Sequence, residues 1–121
     1  MNFDLKDDYV YEESISSKDG ETVRTIIRRS IITKEEELLT NLDGLFIDIA
    51  VKDDMVIFTS KTQNETNYIT VFNLVNNEIN IQECFGSYLY ESTHIYIVNN
   101  DTKAKYRLDI SEDQIHQVKV E

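Results

Sequence analysis

The sequence lacks several of the residues that usually mark turns, disulfides and catalytic motifs. It has no proline, no tryptophan, three glycines and a single cysteine. One cysteine excludes an intramolecular disulfide. With so few glycines, the sequence contains neither a glycine-rich phosphate loop nor a Gly-x-Ser-x-Gly nucleophile motif. Turns must therefore be built from Asn, Asp, Ser and Lys.

Positive charge and long apolar runs are also scarce. Lysine and arginine number 12 against 23 acidic residues, which gives a formal net charge of −11. Nucleic acids and anionic membranes are bound through basic surfaces, so we expect neither as a direct partner. No apolar run approaches the ~20 residues of a membrane span, and the start of the chain, residues 1–8, is acidic rather than signal-like. We predict a cytoplasmic protein whose charge gives solubility or attracts a basic protein partner.

Strand signals dominate what the sequence does contain. Isoleucine is frequent, seven tyrosines and five phenylalanines accompany it, and apolar residues fall in short runs bounded by polar turn residues. This pattern is typical of β-strands. The run at 45–51, for example, follows Asp43-Gly44, a strong hairpin-turn signal. We predict a mainly β fold, an antiparallel meander of about ten short strands.

One structural unit recurs three times along the chain. It consists of an apolar strand, a polar turn, a second strand, an acidic or amide turn and a third strand. Val10, Val56 and Ile95 fall at equivalent places, 46 and 39 residues apart. Periods of this length are typical of stacked or radially arranged β units. We predict a single β-rich domain over residues 1–121, with units at about 8–42, 45–84 and 87–121.

The order and period of these units resemble the four-stranded blades of β-propellers. The resemblance covers nearly the whole chain and rests on spacing and hydrophobic pattern, without a Trp-Asp or Gly-Gly signature. Closed propellers use four or more blades. The resemblance therefore implies that two copies of the chain associate to close a ring. A closed barrel and a two-sheet sandwich are the alternatives that the pattern leaves open.

The first unit admits two interpretations. Thr33 followed by Glu36 matches a capping box ahead of Leu38, which predicts a short helix near 34–42. The repeat instead favours strand, turn and strand at the same place, and the preceding segment 22–33 is rich in β-branched residues. On either interpretation the first unit is expected to lack a strand or to replace one with a helix.

Few residues could carry chemistry. Cys84, His94 and His116 could supply zinc ligands together with an acid, but no two of them have the spacing of a helical or knuckle site. A lone cysteine beside a phenylalanine is usually a small buried hydrophobic residue. Acid pairs such as Asp53-Asp54 fall in predicted turns, where solvation explains them. We predict no catalytic residue, no metal and no cofactor, and hence no enzyme.

Tyrosines next to acids are the better lead to function. Tyr-Val-Tyr-Glu at 9–12 recurs as Tyr-Leu-Tyr-Glu at 88–91. Tyrosines two residues apart on a strand share one face, and tyrosine mixed with polar residues is typical of protein-binding surfaces. The 39-residue register aligns Tyr9 with Met55 and His94 rather than with Tyr88, so the echo is partly coincidence. The predicted protein-binding residues are Tyr9, Tyr11, Glu12, Glu13, Tyr88, Tyr90 and Glu91.

These observations predict a small acidic, non-catalytic protein-binding module of the inhibitor, immunity or adaptor type. Such a module would occlude a basic surface on a partner protein, with its charge speeding association. One alternative is a self-assembling structural β protein, for which a homodimer is the simplest form. Another is a nucleic-acid mimic, in which carboxylates at 35–37, 53–54 and 112–113 imitate phosphates. A small-molecule-binding barrel would instead require an apolar cavity.

Overall fold

The computed structural model describes residues 2–111 and 114–120, which form β-strands joined by short turns. The strands are β1 (Phe3–Lys6), β2 (Tyr9–Lys18), β3 (Glu21–Ser30), β4 (Glu36–Asn41), β5 (Leu45–Lys52), β6 (Met55–Lys61), β7 (Asn67–Asn73), β8 (Ile79–Glu83), β9 (Tyr88–Glu91), β10 (Ile95–Val98), β11 (Lys105–Ser111) and β12 (Gln114–Val120). They pair antiparallel into three four-stranded sheets, β1–β4, β5–β8 and β9–β12, each following chain order. We call these sheets blade 1, blade 2 and blade 3. In the described ranges no helix has the length and apolar character needed to cross a membrane.

The three blades pack face to face in chain order. Their first strands lie side by side, β1 against β5 and β5 against β9. One apolar core lies between blades 1 and 2 and consists of Tyr11, Ile26, Leu42, Ile49, Val51, Val56, Phe58 and Phe72. A second core lies between blades 2 and 3 and consists of Ala50, Ile57, Ile69, Val71, Cys84, Ile95, Ile97, Leu108 and Ile115. Blade 2 is therefore buried on both faces.

Each blade has two faces that the alternation of side chains keeps distinct. We call the face turned toward the next blade along the chain the front face, and the opposite one the rear face. In β6, Val56 belongs to the rear face and to the core with blade 1, whereas Ile57 belongs to the front face and to the core with blade 3. Burial of both faces explains why the sequence of β6 begins with a continuous apolar run.

The predicted mainly β antiparallel meander in three units is confirmed. Val10, Val56 and Ile95 all lie in the second strand of their blade, so the 46- and 39-residue register is the register of the fold. The three sheets are separate. Neither a closed barrel nor a two-sheet sandwich describes the chain.

The expectation that the first unit lacks a strand, or replaces one with a helix, is wrong. β1 supplies a full first strand, so blade 1 has four strands like the other two. Of the two interpretations of 34–42, the short helix is wrong and the strand is correct, because Glu36–Asn41 form β4. The Ser30 hydroxyl oxygen accepts a hydrogen bond from the Thr33 amide at 3.1 Å, and Lys34 adopts φ of +68°. A left-handed residue at this place closes a hairpin and prevents the start of a helix.

The first strands β1, β5 and β9, which lie side by side, form what we call the inner edge of the blades. Hydrogen bonds from equivalent lysines link the blades at this edge. Lys6 ends β1 and its ammonium group donates to the carbonyl oxygen of Asp53, in the β5–β6 turn. Lys52 ends β5 and donates in the same way to the carbonyl oxygen of Thr93, in the β9–β10 turn. Each lysine therefore ties the end of one blade's first strand to the first turn of the next blade.

Two aspartates make a second set of links between the same strands. Asp4 Oδ2 accepts a hydrogen bond from the Val51 amide at 2.7 Å, which joins β1 to β5. Asp48 Oδ2 accepts one from the Leu89 amide at 2.8 Å, which joins β5 to β9. Because the first strands of neighbouring blades share no β-ladder, these carboxylates satisfy backbone donors that would otherwise lack a partner.

Candidate protein-binding surfaces

The tyrosines predicted to form one binding surface lie on two different blades. Tyr9 and Tyr11 are on β2 of blade 1, whereas Tyr88 and Tyr90 are on β9 of blade 3. Tyr11 is only 3% exposed and belongs to the core between blades 1 and 2, where Tyr9 packs against it. Tyr88 and Tyr90 are about half exposed. Only the second pair is open to a partner, and the repeated tetrapeptide occupies inequivalent strands.

The acidic residues of the predicted set are largely engaged within the chain. Glu12 lies 2.9 Å from the guanidinium of Arg29, and Glu13 lies 3.3 Å from that of Arg24. Partial burial and the nearby carboxylate of Asp4 raise the pKa of Glu91. The predicted set therefore does not form one continuous acidic surface.

The front face of blade 3 is an exposed aromatic and cationic surface. The rings of Tyr90 and Tyr96 lie 6.3 Å apart, and the ammonium of Lys105 sits 5.0 Å and 4.2 Å from their centres. These distances fit cation–π contacts. Beside them, Arg107 makes two hydrogen bonds to Asp109, at 2.8 and 2.9 Å, and these hold the pKa of the Asp109 carboxyl below its usual range. This face presents aromatic area with positive groups among it.

A second exposed surface, which we call the acidic end, is formed by turns at one end of blades 1 and 2. The Asp8 carbonyl accepts a hydrogen bond from the Ile31 amide at 2.9 Å, and the Asp54 carbonyl accepts one from the Leu74 amide at 2.8 Å. The β1–β2 and β3–β4 turns are thereby joined, as are the β5–β6 and β7–β8 turns. The acidic end carries the exposed carboxylates of Asp7, Asp8, Glu35, Asp53, Asp54 and Glu78.

Among the described residues, the carboxylates of the acidic end have no cationic partner in an ion pair. In residues 2–111 and 114–120 none of these six forms an ion pair. The nearby ammonium groups of Lys6 and Lys52 are directed at backbone carbonyls instead. The fold thus concentrates unpaired negative charge at one end.

Two of the five described carboxylates that were expected to imitate phosphates are paired with arginine. Glu37 pairs with Arg28 at 2.6 Å, and Glu36 lies 3.9 Å from Arg29. Of the group named from the sequence, Glu35, Asp53 and Asp54 are exposed without an ion pair, and positions 112–113 lie outside the described residues. The group named for nucleic-acid mimicry is therefore divided between carboxylates paired with arginine and exposed carboxylates of the acidic end.

The residues weighed as nucleophile or metal ligands do not come together. Cys84 is buried in the core between blades 2 and 3, its thiol lies 3.1 Å from the Gly86 carbonyl oxygen, and burial raises its pKa to about 11. His94 and His116 are instead exposed on blade 3. Among the described residues no group of three or more His, Cys, Asp or Glu could hold a metal ion.

Two depressions of the surface are open grooves between the outer strands of neighbouring blades. The larger of these two is about 390 Å³ and the other is about 280 Å³. The first is lined by Met55, Val71, Asn73, Glu78, Ile79, Asn80 and Ile110. Neither groove lies inside a barrel, which was the arrangement that a small-molecule carrier required.

Comparison with protein-family models, with curated proteins and with solved structures finds no match to this chain. Function must therefore be inferred from the surfaces themselves.

The acidic end is the feature that residue-by-residue prediction missed, although the sequence carries a signal for it. Lys-Asp-Asp occurs at 6–8 and again at 52–54, at the 46-residue spacing of the repeat. Residues at equivalent places in a repeat lie at the same end of their units. The repeated tripeptide could therefore have predicted both the lysine links and the clustering of the two aspartate pairs.

Proposed function

We propose that this protein is a small acidic, non-catalytic protein-binding module that covers a basic surface of a partner protein with its acidic end. The observation that carries the proposal is the set of exposed, unpaired carboxylates on joined turns, led by Asp7, Asp8, Asp53 and Asp54. Unpaired surface charge of one sign attracts a partner of the opposite sign and speeds association.

The turns that present these carboxylates are held in place, which favours recognition over simple solvation. Asp7 and Asp8 are the two central residues of a tight hairpin, with φ of 50° and 66°. Both positive angles match a type I′ turn, which fits the twist of the flanking strands. Because Lys6 links this turn to the one containing Asp53, the two aspartate pairs keep a fixed relation to each other. A preordered surface loses less conformational entropy on binding.

The test is a pair of variants with the same change in net charge at opposite ends of the blades. The first replaces Asp7, Asp8, Asp53 and Asp54 with asparagine, which tolerates the left-handed backbone conformation of these turns. The matched control replaces four exposed acids at the other end, three in turns and one at the start of β3, as Asp19→Asn, Asp43→Asn, Asp101→Asn and Glu21→Gln. Each variant and the wild type are immobilised and exposed to lysate of the source cell at low salt, and captured proteins are quantified by mass spectrometry.

We expect a specific basic protein to be captured by the wild type and by the control, and to be lost from the variant of the acidic end. Capture should weaken as salt concentration rises, because exposed charges are screened. Equal loss in both variants would show that net charge alone is responsible. Retention of the partner by the variant of the acidic end would refute the proposed surface.

A further inference from the structure

Blade 1 leaves exposed two positions that blade 2 buries. Strand pairing places Phe3 opposite Glu12 and Leu5 opposite Val10, as it places Ile49 opposite Phe58 and Val51 opposite Val56. Ile49 and Val51 are 2% and 4% exposed against blade 1. Phe3 and Leu5, at the same positions in blade 1, are 43% and 56% exposed. The rear face of blade 1 is built like an interface but has no blade of the described chain against it.

The front face of blade 3 is exposed in the complementary way. Pairing in the register places Tyr96 at the position of Tyr11 and Ile57, and Tyr90 at the position of Ala50. Tyr11, Ile57 and Ala50 are each 3% exposed or less. Tyr90 is 54% exposed. Since Tyr11 already packs against a following blade, a tyrosine at this position is compatible with such packing.

The charges on the two open faces are complementary. The rear face of blade 1 carries Glu12 and Glu36 with Arg29, whereas the front face of blade 3 carries Lys105 and Arg107 with Asp109. One face therefore has an excess of negative charge and the other an excess of positive charge.

The register assigns a specific contact between these faces. Ile26 and Phe58 lie in one core, and their equivalents Ile69 and Ile97 lie in the other, so this pair of positions shares a core at both interfaces. Lys105 occupies the position of Ile26 and Ile69, while Glu12 occupies the position of Phe58 and Ile97. If a third interface repeated the two that exist, it would bring Lys105 of one chain to Glu12 of another.

We propose that the front face of blade 3 packs on the rear face of blade 1 of a second copy, so that two chains close a six-bladed ring. Two such contacts, related by a two-fold axis along the inner strands, use the open faces of both chains and leave none exposed. Six blades fall within the four to eight that closed propellers use. A head-to-tail contact of this kind forms a closed ring when its rotation returns to the start, and a filament when it does not. The proposal stands independently of the proposed function, although the ring would place both acidic ends on the same side.

The first experiment measures mass in solution by light scattering after size exclusion, over a dilution series. We expect twice the chain mass of 14.2 kDa for the wild type. Leu5→Asp should lower the mass to that of one chain. The matched control is Val75→Asp, which changes a side chain that is 75% exposed in the β7–β8 turn and should leave the dimer intact. A wild type that stays monomeric, or that forms open polymers, would overturn the proposal.

The second experiment swaps the charges of the assigned contact. Lys105→Glu alone and Glu12→Lys alone each create two like-charged pairs per dimer, which should weaken association by about a hundredfold or more. Mixing the two variants should restore the dimer, because both interfaces of the mixed ring then pair opposite charges. Recovery on mixing also shows that both variants are folded. If neither variant weakens the dimer, or if the mixture stays monomeric, the assigned contact is refuted.

Discussion

Asp48 is the buried carboxylate that joins the inner strands of blades 2 and 3, and its replacement by alanine should destabilise the protein strongly. The residue is 2% exposed. Its Oδ1 accepts a hydrogen bond from the Ile49 amide and its Oδ2 one from the Leu89 amide, both at 2.8 Å. Asp48→Ala leaves both amides without this acceptor, at a cost of about 1–3 kcal/mol each. Relief of the buried charge offsets part of this cost, so we expect the free energy of unfolding to fall by about 2–4 kcal/mol.

Urea unfolding followed by circular dichroism, at one protein concentration, measures this loss as a lower midpoint with an unchanged slope. Asp48→Asn retains one acceptor oxygen and should lose about half as much as the alanine variant. Asp43→Ala, which changes an exposed acid in the β4–β5 turn, is the control and should stay within about 0.5 kcal/mol of the wild type. If Asp48→Ala also stays within about 0.5 kcal/mol, the carboxylate does not hold the blades together.

Three further changes probe the interface between blades 2 and 3 and its turns. Thr59→Val removes the 2.6 Å hydrogen bond from a fully buried hydroxyl to the Ser87 carbonyl, and urea unfolding should show a loss of about 0.5–1.5 kcal/mol. Burial raises the pKa of Cys84 from 9.0 to about 11, so the folded state keeps a proton that the unfolded chain loses as pH rises. Stability should therefore fall between pH 9 and 11, and the advantage of the wild type over Cys84→Ala should shrink by up to about 3 kcal/mol. Gly86→Ala would place a Cβ 2.6 Å from the backbone of β10 and should cost about 3 kcal/mol by thermal or urea unfolding, whereas Gly20→Ala, with open space and φ of +80°, should cost about 1 kcal/mol.

The repeat and the strand content could be predicted from the sequence because they depend on local pattern. Short apolar runs between polar turns specify strands, and the spacing of Val10, Val56 and Ile95 specifies the unit. β1 was missed because its four residues, Phe3–Lys6, contain only two apolar side chains at the start of the chain. The pairing of this strand with β2 supplies the signal that its own sequence lacks.

Local chemistry also explains why a helix at 34–42 looked acceptable. A capping box and closely spaced leucines are compatible with a helix, but the turn ahead of them decides the outcome. The amide of Lys34 donates to the Ser30 carbonyl at 3.0 Å, and Asn77 and Lys103 make the equivalent bonds to Asn73 and Asn99 at 2.8 Å. The same kind of loop therefore forms the β3–β4, β7–β8 and β10–β11 turns, each of which joins two strands, and comparison of these three segments favours a strand at 36–41.

The binding surface was harder to predict because it depends on which faces the blades bury. Tyr11 and Tyr90 both follow an alternating pattern beside acids, yet one is 3% exposed and the other 54%. Blade packing makes this difference, and a strand with apolar residues on both sides does not reveal which side is covered. The acid pairs at 7–8 and 53–54 can be read from the sequence. Their location at one end of the molecule depends on the fold, because the first strands of the blades run parallel to one another.

The open faces differ from the buried ones in chemistry rather than in backbone frame. One internal core contains Ile26 and Phe58 and the other contains Ile69 and Ile97, whereas the open faces carry Lys105 and Glu12 at the same positions. Blades at the ends of a repeat need polar outer faces when they meet water. Opposite charges at matching positions satisfy that need in a single chain and also select one partner, since like-charged faces repel. The mass of the wild type and the mixing of the two charge variants therefore distinguish two cases. In one, these faces stay exposed to solvent on a monomer, and in the other they form the interface with a second copy.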